Sequence, residues 1–348
     1  MKIKVAVIGC GSISEFRHAP EYKANKNVEI VGFCDPLIER AEKLAEKFGG
    51  GIFTDYREVL NVKEIDAVSV CTANSTHAAI TIDALKAGKH VLCEKPMATS
   101  LDDAESMIQA ASHSGKVLMI GHNQRFEPAH IKAKEILKSG ELGKVLTFRT
   151  NFGHAGPEGW SADKGINTWF FNKNSAFVGT LGDLGIHKAD LIRWLIDDEI
   201  DEVTSFLATR DKKDDSGNLI NVEDNAICLV RSHNGIIGSI SSSWTNYGNM
   251  VNSVELNCEN GIIKINCNPE YEIVVEKRDG EERFYKIKEN KVNGFHTDSE
   301  IINSFVDSIV NGTEPEISGK EGFEALSIIL ASIDSYNNRS FSKVRHLV

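Results

Sequence analysis

The sequence predicts an α/β protein in two parts. A doubly wound parallel sheet occupies residues 1–122, and an α+β domain with a large open, mostly antiparallel sheet occupies residues 123–348. Three observations carry this expectation. Short β-branched runs alternate with amphipathic helical patterns up to Gly121, the signature of a parallel sheet covered by helices on both faces. A glycine-rich turn, "VIGCGSIS", joins the first run to the first helix. Beyond Gly121, strand-like runs follow one another directly with turn signals between them, which is how antiparallel strands read.

In chain order, the strands of the first part are "IKVAVIG", "VEIVGFC", "DAVSVC", "HVLC" and "KVLMIG". They are almost continuously apolar, as a sheet buried on both faces requires. The helical patterns "PLIERAEKLAEKFG" and "THAAITIDALKAG" place apolar residues three and four apart and end near a glycine. The second part opens with the helix "PAHIKAKEILKSG" and the strand "KVLTFRTNFG". A polar and aromatic stretch from His154 to Asn174 and the helix "HKADLIRWLI" come next. Six strand-like runs between "DEVTSFLATR" and "YEIVVEKR" precede two closing helices, "DSEIINSFVDSIVNG" and "GFEALSIILASIDSYN".

Composition narrows the function. The net charge is -11, with no Lys/Arg-rich run, so a nucleic-acid partner is not expected. No apolar run approaches the roughly 20 residues that span a bilayer, and "MKIKVAVIG" begins as a strand rather than as a signal peptide. A cytoplasmic protein without a membrane partner is therefore expected. The seven cysteines contain no CxxC pair, which favours reduced thiols, small buried fillers, and no metal site.

The glycine turn carries the first chemistry. Gly9 allows a tight turn and Gly11 lets backbone approach a pyrophosphate, which then sits at the positive end of a helix. Ser12 and Ile13 continue the expected dinucleotide contacts, and Ser14 replaces the usual third glycine with another small residue. Asp35 ends the next strand, where an acid bonds the adenosine ribose; a helix N-cap before Pro36 is compatible with that role. Its charge would repel a 2′-phosphate, so NAD is expected and NADP disfavoured.

With "TANSTH", "CEKP", "NQRF" and "GTLGDLGIH" added to that turn and to Asp35, nearly the whole chain resembles the Gfo/Idh/MocA oxidoreductases, which include inositol and sugar dehydrogenases. The resemblance implies hydride transfer between a sugar or cyclitol carbinol and the nicotinamide, on a homodimer or homotetramer. It assigns Lys95 to substrate and nicotinamide, and Glu94 to orienting that lysine or touching the ribose, with Pro96 holding the turn. Asp183 and His187, four residues apart, would share a helical face and handle the proton with Lys95. Capping by Asp183 is the bland alternative. Val178 departs from the family's common glycine.

Other residues have two readings. Thr72 and Asn74 follow a strand end and would face the cofactor, while His77 is either a cofactor contact or a packed cap. Arg125 is either a substrate contact or half of a salt bridge. Trp160 and Trp169, in the long 152–174 loop with His154, either stack on sugar or sit in a core. Two other functions remain open at this level: a glycoside hydrolase using bound NAD, and a non-catalytic NAD-binding regulator.

Overall fold

In a computed structural model, the described residues are 2–287, 291–292, 296–297 and 299–347. The first sheet contains β1 (Ile3–Ile8), β2 (Val28–Cys34), β3 (Gly51–Phe53), β4 (Ala67–Val70), β5 (His90–Cys93) and β6 (Leu118–Ile120) in the order β3-β2-β1-β4-β5-β6. Its pairings are all parallel. The strand order reverses direction at β1/β4, so the cleft for a ligand opens beyond the carboxyl ends of those strands. β3 and the short helix Tyr56–Asn61 escape the sequence reading because three edge residues and six helical ones are too few to display a period.

The second sheet contains β7 (Val145–Gly153), β8 (Ile200–Ala208), β9 (Asn225–Ser232), β10 (Ile237–Ser243), β11 (Val251–Cys258), β12 (Gly261–Ile265), β13 (Ile273–Lys277) and β14 (Glu282–Tyr285). After a ribbon of β15 (Lys291–Val292) and β16 (His296–Thr297), β17 (Ser342–Lys343) completes it in the order β14-β13-β12-β11-β7-β10-β9-β8-β17. Every pairing in the nine-stranded sheet is antiparallel except β7 with β10. One face carries alternate residues such as Ala226, Cys228 and Val230 into a core shared with the helix Ile186–Ile196. The opposite face stays open, with Leu146, Phe206, Ile227, Leu229 and Ile237 exposed.

The closing helices bind the halves together. Asp298, at the head of the first of them, lies outside the described residues, and the helix runs Ile301–Asn311. The second, Gly319–Asn338, is apolar on two sides. Phe323 and Leu326 enter the core of the parallel sheet, whereas Ala325, Ile328 and Ile329 enter that of the second sheet.

Arg125 belongs to this junction. It is buried in the turn Asn123–Phe126 and grips Asp190 through two bonds of 2.8 and 2.6 Å, with a third to Glu321 at 2.5 Å. Arg193 extends the network between Glu199 and Glu321. The expectation of a substrate contact is therefore corrected: the guanidinium is spent on Asp190 and Glu321 and does not line the cleft, and of the two sequence readings the salt bridge is the one built. Removing one member of a buried pair strands the other charge, at about 3–5 kcal/mol. Arg125→Ala should accordingly lower unfolding free energy by about 3 kcal/mol or more in urea titration; a loss under about 1 kcal/mol would return Arg125 to ligand contact.

Candidate active site

A cleft of about 1170 Å³ separates the carboxyl ends of the parallel strands from the second sheet and its helix. Gly9, at φ +91°, is required by space as well as by backbone: a Cβ there would lie 2.5 Å from the Cys71 carbonyl oxygen. A Cβ on Gly11 would meet nothing within 4 Å, and Gly11 lines the cleft, so its surface is open to a close-packed ligand. Ser14 is buried and its hydroxyl donates to the Gly9 carbonyl, which satisfies the one polar atom that the replacement of glycine introduces. Ser12 and Ile13 also line the cleft, although the Ser12 hydroxyl is spent on the Trp160 carbonyl at 2.9 Å.

Asp35 accepts one backbone N–H on each oxygen, from Cys10 and from Leu37, both at 2.9 Å. The carboxylate is thus fixed at the cleft wall with lone pairs left for ribose hydroxyls. These residues fit a dinucleotide: Gly9, Gly11, Ser12 and Ile13 would hold its phosphates, and Asp35 its adenosine ribose. Thr72 and Asn74 line the same wall, and Asn74 donates to the Ala176 carbonyl at 2.9 Å, a tie between the two halves. His77 is buried between the carbonyls of Pro96 and Thr72 at 2.8 and 3.0 Å. Burial lowers its pKa, so the neutral ring has a single N–H and donates to one of the two carbonyls while packing against the other.

Beyond β5, the Lys95–Pro96 peptide is cis. Lys95 Nζ donates to Asp183 twice, to the carboxylate Oδ1 at 2.9 Å and to the backbone carbonyl at 2.8 Å. The other Asp183 oxygen accepts from Trp244 Nε1 at 3.1 Å, and Trp244 is wholly buried. Glu94 lies beneath. Its Oε1 meets His18 Nε2 at 2.9 Å and its Oε2 accepts the Lys95 amide at 3.2 Å. Burial would raise the Glu94 pKa, but the His18 hydrogen bond and charge hold it down at about 2. The Glu94 side chain is therefore an anchored anion at the cleft floor.

The helix carrying Asp183 begins earlier than its apolar pattern suggests, in a wide turn at Leu181–Gly185 that runs into Ile186–Ile196. Glu223 organises this start. Its carboxylate accepts from Gly179 N at 3.0 Å and Leu181 N at 2.9 Å, and its backbone carbonyl would lie 1.9 Å from any Cβ on Gly179. Asp183 consequently does not cap its own helix. No hydrogen bond joins Asp183 to His187, whose Nδ1 has no partner among the described residues. Burial, then the Lys95 charge, lowers the His187 pKa well below 6.5, opposite to the support for a charged ring that a bonded carboxylate would give.

The 154–171 segment closes the far side. Trp160 and Trp169 both line the cleft, Trp169 stacking on Phe170 at 3.9 Å and Trp160 meeting Phe170 edge-on at 5.2 Å. An Arg40–Asp163 ion pair ties this segment to the parallel-sheet half. Sequence reasoning missed His18, Glu223, Trp244 and Gln124; of these, only Gln124 lies in a motif the sequence flagged, "NQRF". Gln124 lines the cleft with a buried Oε1 that has no hydrogen-bond partner among the described residues.

Residues 3–122 match the NAD-binding Rossmann domain of an oxidoreductase family, and residues 130–264 match the GFO/IDH/MocA C-terminal domain. The chain belongs to the Gfo/Idh/MocA oxidoreductase family. It is 30% identical over 239 residues to the levoglucosan dehydrogenase of Pseudarthrobacter phenanthrenivorans, an alignment that spans 63% of this chain but only 60% of that protein. It is 25% identical over 357 residues to the myo-inositol 2-dehydrogenase of Thermotoga maritima, covering 99% of this chain and all of the relative. A solved levoglucosan dehydrogenase complex with NADH and levoglucosan superposes with a TM-score of 0.87 at 25% identity, over all of both chains.

A carboxylate holding the adenosine ribose, the role expected of Asp35, would repel a 2′-phosphate. NAD should bind more tightly than NADP in calorimetry, and Asp35→Ser should narrow the gap by about tenfold or more, the scale of one removed charge repulsion. A wild-type preference for NADP would sink the assignment.

Proposed function

We propose that the protein is an NAD-dependent dehydrogenase acting on a hydroxyl group of a sugar or cyclitol, with residues 1–122 holding the dinucleotide and 123–348 presenting the substrate. The observation that carries this reading is Lys95 Nζ held at 2.9 Å by Asp183 at the carboxyl edge of the parallel sheet, with His187 lining the same cleft. The two named relatives support the substrate class.

When bound, the nicotinamide supplies the hydride acceptor. Lys95 stabilises the negative charge that develops on the substrate oxygen, and Asp183 fixes the ammonium there through two bonds. His187 takes the proton: its lowered pKa leaves the ring as free base at neutral pH, and the residue lines the cleft. Trp160, Trp169 and Phe170 offer aromatic faces to the C–H faces of a sugar ring.

The test is NADH formation across a panel of sugars and cyclitols. Lys95→Ala should lower kcat/KM by roughly a hundredfold or more while NAD affinity stays within a few-fold. An Ala variant with near wild-type turnover would refute the role. Because the free base is the competent form, kcat/KM should hold through neutrality and fall only as pH drops below 6.5, the ordinary histidine value from which His187 is lowered.

A homo-oligomer is part of this proposal. Phe206, Ile227, Leu229 and Ile237 lie exposed on the open face of the nine-stranded sheet, a contiguous apolar surface of the kind that marks interfaces. Sedimentation should give a dimer or tetramer for the wild type and a smaller species for Ile227→Glu/Leu229→Glu; a monomeric wild type would refute this. A cytoplasmic setting is also proposed, supported by seven free thiols. Among the described residues no helix is long and apolar enough to cross a membrane.

A further inference from the structure

A second cavity, of about 440 Å³, opens at the other end of the parallel sheet, against the amino ends of β1, β4, β5 and β6. It is remote in the fold from the carboxyl ends where doubly wound sheets hold their cofactors. Four lysines line it, each from a different segment: Lys2 before β1, Lys63 after the helix Tyr56–Asn61, Lys89 before β5, and Lys116 before β6. Among the described residues none of the four has a carboxylate within ion-pairing distance.

Lys89 is the fixed member. It is 5% exposed, and its Nζ donates to the carbonyls of Val62 at 2.8 Å and Ile65 at 2.7 Å. That leaves one of its three N–H donors without a partner among the described residues. Burial first, and the neighbouring Lys116 as well, lower its pKa against the pull of Asp66 and Glu64. His90 accepts the Val117 amide on Nδ1 at 3.0 Å, so the neutral ring carries its proton on Nε2 and is a donor. Burial and Lys116 keep that ring neutral, its pKa lowered to about 4. Asp66 is the single carboxylate lining the cavity, and one of its oxygens already accepts the Lys4 amide at 2.8 Å.

The cavity is thus rich in donors and poor in acceptors, in a chain whose net charge is -11. Lys89 is buried with the half-buried Lys116 as a like-charged neighbour, and an anion bound between them relieves that repulsion. Lysine serves as a point-charge partner for phosphate, and the volume lies in the range of small-molecule sites, about 300–1,000 Å³. We propose that this cavity binds a small phosphorylated molecule, the lysines and His90 taking its phosphate oxygens and the free oxygen of Asp66 accepting a hydroxyl.

The test is calorimetry with pyrophosphate on the full chain saturated with NAD, which occupies the Gly9–Gly11 turn and denies the probe that second phosphate site. One pyrophosphate should bind. Lys63→Glu/Lys116→Glu, which alters an exposed and a half-buried side chain, should weaken it by at least about tenfold while leaving NAD affinity within about twofold. Lys89→Met removes the partner of two buried carbonyls and risks the fold, so the double variant decides. No binding to the NAD-saturated wild type, or equal affinity in the double variant, overturns the site. Citrate binding more tightly than pyrophosphate overturns its phosphate chemistry.

Discussion

The contact between Lys95 and Asp183 is the constraint around which the cleft is arranged. The two residues lie 88 positions apart, one at the end of a parallel strand and the other in the first turn of a helix behind the second sheet. Their side chains are 15% and 7% exposed. At that burial each charge stabilises the other against the cost of desolvation. Folding the two domains against each other therefore has to bring these groups into register. The surrounding structure serves that end: His18 and Glu94 hold the Lys95 backbone from below, while Trp244 holds the carboxylate from behind.

The relation between the domains is maintained at three levels. Apolar packing comes from the helix Gly319–Asn338, whose opposite sides enter different cores. Buried charge comes from Arg125, Asp190, Glu321 and Arg193, which tie the connection between the domains to two helices of the second. Surface contacts across the cleft come from Ser12 with Trp160 and Arg40 with Asp163, beside one buried bond from Asn74 to the Ala176 carbonyl. The first two levels bury large areas or several charges and hold the scaffold. The Ser12 and Arg40 contacts are partly or wholly exposed, and exposed pairs contribute little stability, so they shape the mouth of the cleft more than they hold the domains.

Much of the site was legible because its residues sit at places where local sequence has structural meaning. Gly9 must adopt a positive φ against neighbouring backbone, Asp35 ends a strand, and Lys95 follows a strand whose apolar run shows where it leaves the core. Arg125 was not legible. In the turn Asn123–Phe126 successive side chains point to different sides, and the letters "NQRF" do not say which reaches the cleft; Gln124 does and Arg125 does not. Asp183 and His187, four residues apart, both line the cleft, yet spacing is silent about what faces them. Lys95 and Trp244 occupy the Asp183 oxygens, and His187 is left as a neutral, buried ring.

By itself the sequence determined the alternating strands and helices of the first half, the mostly antiparallel second half, the glycine turn after β1 and the acid that ends β2. These are local properties, set by periodicity, glycine conformation and the chemistry of strand ends. Tertiary structure alone decided the partners. His18 under Glu94, Glu223 at the head of the site helix, and Trp244 behind Asp183 are brought in from distant segments that carry no mark of their role. So are the lysines at the amino end of the sheet. The physical reason is the same in each case: a buried polar group takes whatever partner the folded chain places within about 3 Å, and that distance is a property of the packed domains rather than of any stretch of residues.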